Sequence, residues 1–238
     1  INRDLMAELN AVGGGFMSQL EWGSDKRGLP LPVADVMESL FNSTFDHNGP
    51  KVPIPYATEA DVQGLLTMLF MTYLSGGNPP LFMDFRKVWE AWEIKELAKK
   101  LNVKIDAAAD YAVKGLVDGD NSGSAAFDWA AKPGSSVKAI MDGVAMPLAD
   151  SGYFPGGGNS ITFMTPAGIE GIAGRMAYSS LNGMFSLIWD EAYTTSVPEK
   201  LAAAMCNLTT PTWPHTFVVP KYASMVEYKQ YAPANHFH

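Results

Sequence analysis

Three side chains far apart in the chain, Glu59, Asp84 and His236, carry the donor types from which a divalent cation site is built. Two carboxylates and one imidazole form a mixed oxygen and nitrogen set, suited to Mn²⁺ or another borderline-hard cation rather than to a thiolate-type zinc site. Each residue also has a plain structural reading. Glu59 follows Thr58, a good N-cap, and a carboxylate in a first helical turn complements the dipole and the unpaired N–H groups. Asp84 lies inside Leu81-Phe-Met-Asp-Phe85, where alternation puts it on the face of Phe82. A buried aspartate is costly unless paired or bound to a cation, and Arg86 and Lys87 stand near enough to pair with it. His236 is one of four histidines, with His47, His215 and His238, and a lone histidine is more often structural than a ligand. Residue types alone leave the reaction open.

Other motifs carry less. Gly156-Gly157-Gly158 has neither the lysine nor the helix that a phosphate-cradling loop requires, and reads as a tight turn. Asn121-Ser-Gly-Ser124 lacks the frame of a nucleophile elbow. Asn42-Ser-Thr44 and Asn207-Leu-Thr209 match the glycosylation pattern, without a secretion signal to support its use.

The elements that must position these residues fall into two styles. Residues 4–22 start as a short amphipathic helix, then meet three glycines, then a strand or loop carrying Gln19. Pro30 and Pro32 precede a helix from Val33 to Phe41, with Asp35 and Glu38 expected on its exposed side, and a turn-rich loop runs from Asn42 to Pro55. Thr58 as N-cap, with Asp61 three residues on, opens a helix whose Leu65, Leu66, Leu69, Phe70 and Tyr73 recur at helical spacing. Gly76-Gly77 stops it and Pro79-Pro80 prevents its resumption. A buried strand over Leu81–Phe85 and a helix over Glu90–Leu101 complete a piece of α/β grammar. Beyond residue 103, strands are predicted at Val113–Val117, Ser160–Thr165, Ile169–Tyr178 and Met184–Tyr193. Turns at Asp118-Gly-Asp120, Pro155–Gly158, Pro166-Ala-Gly168 and Asn182-Gly183 separate them, which describes an antiparallel sheet or barrel. One helix near Pro198–Cys206 interrupts it, with Pro198 at the first helical position.

The 238 residues, 47% hydrophobic and 18% charged, suffice for one or two domains with real cores. A net charge of -8 argues against nucleic acid, which requires a dominant basic patch. The longest apolar stretch, Leu65–Leu74, is too short to span a bilayer, so no membrane partner is expected. Cys206 is the sole cysteine, which excludes an internal disulfide and fits a reducing cytoplasm. The first residues lack a basic segment followed by an apolar core, so no signal peptide is expected. The chain opens on Ile1 and closes on His236-Phe-His238, and both ends are expected to be cuts in a longer polypeptide.

Six stretches in register are similar to the L-fucose isomerase family, which also turns over D-arabinose. They are Phe41–Gly49 with Ala57–Asp61, Phe82–Arg86, Asn121–Ala126, Phe154–Gly158, Thr212–Pro214 and Ala234–His236. The resemblance covers most of the chain from about residue 16 onward. It implies Glu59, Asp84 and His236 as Mn²⁺ ligands, and Glu59 and Asp84 as the acid/base pair. It implies Ser122, Trp213, Asn235 and Gln19 as residues lining the sugar site. Asn159 departs from the pattern, since a tyrosine is expected there, and this bears on the substrate more than on the reaction. The implied fold is α/β, the carboxyl-terminal part of a three-layer Rossmann-like domain over 1–77 carrying Glu59. A mostly antiparallel β-barrel-like domain over 78–238 follows, carrying Asp84 and His236. The family's members are longer at both ends and form homo-oligomers, typically hexamers.

The implied chemistry interconverts an aldose and a ketose, L-fucose with L-fuculose or D-arabinose with D-ribulose, by moving a proton between C1 and C2 through a cis-enediol. A divalent cation at O1 and O2 stabilises the developing negative charge while carboxylates handle the protons. Which of Glu59 and Asp84 is the base depends on direction and substrate. Two other readings stand beside it: a non-catalytic or truncated sugar-binding domain derived from the family, and a metal-dependent aldolase or hydrolase using the same ligands.

Overall fold

A computed structural model describes residues 2–16, 33–58, 61–121, 125–146, 161–211 and 214–225. Helix α1 spans Asn2–Glu8, and strand β1, Gly14–Gly15, lies within the glycine run. Helix α2 covers Val33–Asn42. Three short strands come next: β2 (Phe45–Asp46), β3 (Gly49–Pro50) and β4 (Tyr56–Ala57). Helix α3 runs Val62–Leu74, strand β5 Asp84–Trp89, and helix α4 Ala91–Lys100. After the single turn α5 (Asp110–Val113) comes strand β6, Leu116–Asp120. A 3-10 turn at Phe127–Ala130 and helix α6 (Val137–Asp142) precede the long hairpin of β7 (Glu170–Ser179) and β8 (Met184–Thr195). Helix α7 (Glu199–Leu208) and strand β9 (Thr216–Pro220) follow.

Five strands form one antiparallel sheet in the order β5-β6-β9-β8-β7. Helices α4 and α7 cover one face, where Ile94, Ala98, Leu201 and Met205 pack on Trp89, Leu116, Phe217 and Val219. Val88, Val117 and Met225 gather in a smaller cluster, Val88 and Val117 alternating with Trp89 and Leu116 along β5 and β6 as strand geometry requires. A separate parallel pair joins β1 to β4, with Gly14 opposite Tyr56 and Gly15 opposite Ala57. Met6, Phe16, Phe41 and Tyr56 form its core, Phe41 and Tyr56 stacking at 4.7 Å.

Helix α3 departs from its sequence reading. Its N-cap is Asp61, whose side chain accepts from the Gly64 N–H at 2.8 Å, and not Thr58. The residues it buries are Gly64, Thr67, Met68 and Thr72, whereas Phe70 and Tyr73 of the apolar stripe are exposed. The reason is the surface it covers. Among the described residues, strand β7 is the sheet's edge, with no strand paired on its outer side. Thr67 Oγ1 accepts from the Met176 N–H at 2.7 Å and Gln63 Oε1 from the Tyr178 N–H at 3.3 Å. Arg175 adds a two-armed contact to Asp61 at 2.7 and 3.2 Å. A helix capping a strand edge needs acceptors and small residues there, and hydrophobic periodicity cannot register that demand.

Other expectations shift. Asp35 and Glu38 are buried on α2 rather than exposed, because β4 packs on that side. Asn42 is buried with both amide ends used by the Tyr56 backbone, which leaves nothing there to glycosylate. Val113 ends a helical turn, and the strand begins at Leu116 after Gly115, whose φ of 94° breaks the chain direction. Asp118-Gly-Asp120 is no turn: it lies buried within β6. Strand β5 starts at Asp84, three residues later than its apolar run. Thr162 of the expected 160–165 strand makes only an isolated bridge to Ala145. Strand β9 was not foreseen, whereas β7, β8, α4 and the Gly76-Gly77 stop lie within a few residues of expectation.

Candidate functional site

Among the seven residues singled out from sequence, Asp84 belongs to the described residues; Gln19, Glu59, Ser122, Trp213, Asn235 and His236 lie outside them. The flanks of most of these are described, and they converge. Asp84 opens β5 directly across from Asp120, the last residue of β6, and Gly119 pairs with Thr216 at the start of β9. Asp84, the chain entering Ser122 and the chain leaving Trp213 therefore meet at one end of the sheet. An ideal Cβ on Gly64 would lie 2.9 Å from the Phe82 ring and 2.6 Å from the Asp61 carboxylate. The turn that follows Glu59 thus abuts the segment that enters Asp84.

The β1/β4 pair does the same for Gln19 and Glu59. Being parallel, both strands leave from the same end, the side on which open α/β sheets bind ligands. Helix α2 holds this exit: the Asn42 amide clamps Tyr56, and the Thr58 hydroxyl donates to the buried Glu38 carboxylate at 3.0 Å. At the far terminus, Met225 packs near Gly115 and Val117, at the opposite end of β6 from Asp120. His236 lies eleven positions further along the chain, an extended reach of about 36–40 Å. The six-residue β5 spans only about 20 Å. Chain length therefore permits His236 to return to Asp84.

Asp84 is 38% exposed, and one of its oxygens accepts from Arg86 Nη2 at 3.0 Å. Arg86 also grips Asp120, Nε to Oδ2 at 2.8 Å and Nη2 to Oδ1 at 3.0 Å. Behind this pair lies a second buried one. His215 Nδ1 donates to Asp118, whose other oxygen accepts from Trp89 Nε1 at 3.0 Å, and His215 Nε2 donates to the Thr210 carbonyl at 2.8 Å. Both ring nitrogens face acceptors, so the imidazole is held as the doubly protonated cation. Burial pulls its pKa down, but the contacts with Asp118 and Cys206 dominate and lift it to about 10. Burial pushes the Asp120 carboxyl up despite Arg86 beside it. Asp61 runs the other way: burial would raise it, and the bonds from Arg175 and the Gly64 N–H bring it below its usual value.

Among the described residues, no group of three His, Cys, Asp or Glu is arranged to hold a metal ion. Asp118, Asp120 and His215 compensate one another and Arg86, and are a support rather than a site. Asp84 differs, being a carboxylate at a strand end that reaches solvent, and an oxygen donor of this kind fits a hard divalent cation. Sequence reasoning offers Arg86 or Lys87 as a partner for Asp84 and reads Asp118 and Asp120 as turn residues, without a role beside Asp84. The signal was present in the Asp-x-Asp spacing of β6, which puts both carboxylates on the face of Trp89. Among the described residues, no helix is long and apolar enough to cross a membrane.

Comparison with known proteins bears on the chain as a whole. A family model described as L-fucose isomerase, second N-terminal domain, matches residues 4–76. An L-fucose isomerase of Vibrio vulnificus is 30% identical over 229 residues, covering 89% of this chain and 36% of that relative. An L-fucose isomerase of Streptococcus pneumoniae is 30% identical over 260 residues, covering 96% of this chain and 42% of its own length. The chain spans about two fifths of the length of these curated relatives. The class defined by this similarity is that of the sugar isomerases. Within it, the chain belongs to the L-fucose isomerase family.

Proposed function

We propose that this chain carries the catalytic carboxylates of an aldose–ketose isomerase acting on L-fucose or D-arabinose. In this reading Glu59, Asp84 and His236 hold Mn²⁺ or another divalent cation, while Gln19, Ser122, Trp213 and Asn235 line the sugar. The observation that carries it is that the chain entering Ser122 and the chain leaving Trp213 meet Asp84 at one end of the sheet, while Gly64, in the first turn of the helix after Glu59, abuts Phe82, two residues before Asp84. Family membership supplies the reaction class.

The bound cation supplies electrostatic stabilisation of the negative charge that develops on the sugar oxygens during proton transfer. Asp84, at an open strand end, exchanges protons with a hydroxyl or with the carbon of the open-chain sugar. Glu59, the residue after a Thr58 anchored on Glu38, serves as the second carboxylate of the acid/base pair. One carboxylate would take the proton from one sugar carbon and return it to its neighbour, while the other would move the hydroxyl proton, so that a cis-enediol forms and collapses with no net proton gained or lost. Trp213 and Ser122 orient the sugar and keep water off its reacting carbons.

The remaining parts of the reading are an α/β unit over 1–77, a barrel-forming unit over 78–238, a cytoplasmic location and assembly as a homo-oligomer, with a hexamer as the form the family implies. The test is direct. Glu59→Gln or Asp84→Asn lowers ketose formation by roughly 10²–10⁴-fold, with the circular dichroism spectrum unchanged. Turnover at the wild-type level in either variant removes that residue from the acid/base pair. Asn159 favours one second reading, sugar binding without catalysis. Calorimetry that detects Mn²⁺ and sugar binding, beside an assay that detects no ketose, would establish it.

A further inference from the structure

The carboxylates of Asp84 and Asp120 sit directly opposite one another on β5 and β6, an arrangement in which two negative charges repel. Arg86 resolves the conflict through a bulge. Phe85 pairs with Gly119 and Lys87 with Asp118, so Arg86 is an extra residue on β5, and a bulge of this kind re-aims a side chain out of the strand's alternation. Its guanidinium spans both acids, at 2.8 and 3.0 Å to Asp120 and 3.0 Å to Asp84. The bridge has a fixed end and an open end: Asp120 is wholly buried, Arg86 10% exposed and Asp84 38% exposed. The fixed end is braced by His215, whose Nε2 lies 3.8 Å from Asp120. Gly119 completes the fit, since a Cβ there would meet the Met83 sulfur at 2.5 Å and the Asp84 carbonyl oxygen at 2.9 Å.

We propose that Arg86, seated on the bulge and anchored by Asp120, is a positioning residue that sets the orientation of the Asp84 carboxylate for the cation. The inference rests on reading Asp84 as a ligand. Two physical effects of Arg86 oppose each other. Its positive charge repels a nearby cation, whereas its planar fork removes the rotational freedom of the carboxylate before the cation arrives. If orientation dominates, loosening the fork weakens metal binding, as loss of outer partners does at other metal sites.

The experiment is a Mn²⁺ titration of the intact protein without sugar, followed by electron paramagnetic resonance of the free ion. Wild type is compared with Arg86→Lys, Asp120→Asn and Asp84→Asn. Lysine keeps the charge but cannot bridge two carboxylates as a planar fork, and asparagine keeps the shape of Asp120 while removing its charge. The expected result is a Kd raised roughly 10–100-fold in Arg86→Lys and in Asp120→Asn, with the number of sites per chain preserved. A merely structural role would lower the number of sites and leave Kd alone, and that result overturns the proposal. So does an unchanged or tighter Kd in folded Arg86→Lys while Asp84→Asn has lost Mn²⁺. Wild-type Mn²⁺ binding in Asp84→Asn instead defeats the ligand reading of Asp84, and this proposal with it.

Discussion

Asp84 and His215 show what burial does to side chains of ordinary chemistry. Asp84 keeps contact with solvent while sharing the Arg86 guanidinium with Asp120. His215 is wholly buried among acceptors and is therefore a fixed cation, not a proton carrier near neutral pH. Its folded pKa of about 10 stands above the ordinary 6.5. The stability it contributes is thus complete below pH 6.5 and is lost as the pH rises through 10. Thermal melting followed from pH 7 to pH 10.5 is expected to show a falling midpoint, and a shallower fall in His215→Asn. That variant should itself lose about 3–5 kcal/mol near pH 7, because Asp118 is left buried without its charge partner. A midpoint independent of pH over this range would mean that His215 is neutral in the fold.

At the scale of elements, the deciding interactions are those between a strand and what lies beside it. Helix α3 protects the edge of β7 with Thr67, so Thr67→Val should strand the Met176 N–H at a cost of about 1–3 kcal/mol. Thr67→Ser should cost far less. Chemical denaturation measures both, and amide exchange at Met176 should accelerate only in the valine variant. Strand β5 depends equally on Gly119. Gly119→Ala places a methyl group against the Asp84 carbonyl and the Met83 side chain, so the start of β5 must move. If the proposed isomerase reading holds, turnover is expected to fall more than melting temperature does. Full activity in Gly119→Ala would show that the placement of Asp84 tolerates displacement of its strand.

For the whole molecule, the order of opening follows the distribution of apolar contacts. The largest cluster lies between the sheet and helices α4 and α7, and the segments around β1 to β4 rest on smaller ones. Leu116, Val117 and Val219 should therefore exchange their amides only through global unfolding, while α1 and the β2/β3 hairpin open locally at lower cost. Native-state hydrogen exchange tests this directly; equal protection throughout would make the chain a single cooperative unit. The proposed site belongs to this scale too, since the described chain ends that lead toward it come from both the parallel pair and the large sheet.

The amino-acid order by itself determined what local rules control. The Gly76-Gly77 stop, the Glu90–Leu101 helix and the β7/β8 hairpin with its Asn182-Gly183 turn follow from neighbours within a few residues, and the family resemblance from short stretches kept in order along the chain. Only the tertiary structure decided which polar residues are interior. Asp118-Gly-Asp120 has turn composition, yet Arg86 and His215 compensate its charges and Trp89 donates to Asp118, all distant in sequence, so that it lies buried within an inner strand. Likewise, the leucine periodicity of α3 says nothing of a strand edge contributed by residues more than a hundred positions later. Local pattern encodes conformation, whereas the cost of burying a charge depends on partners that folding alone brings near.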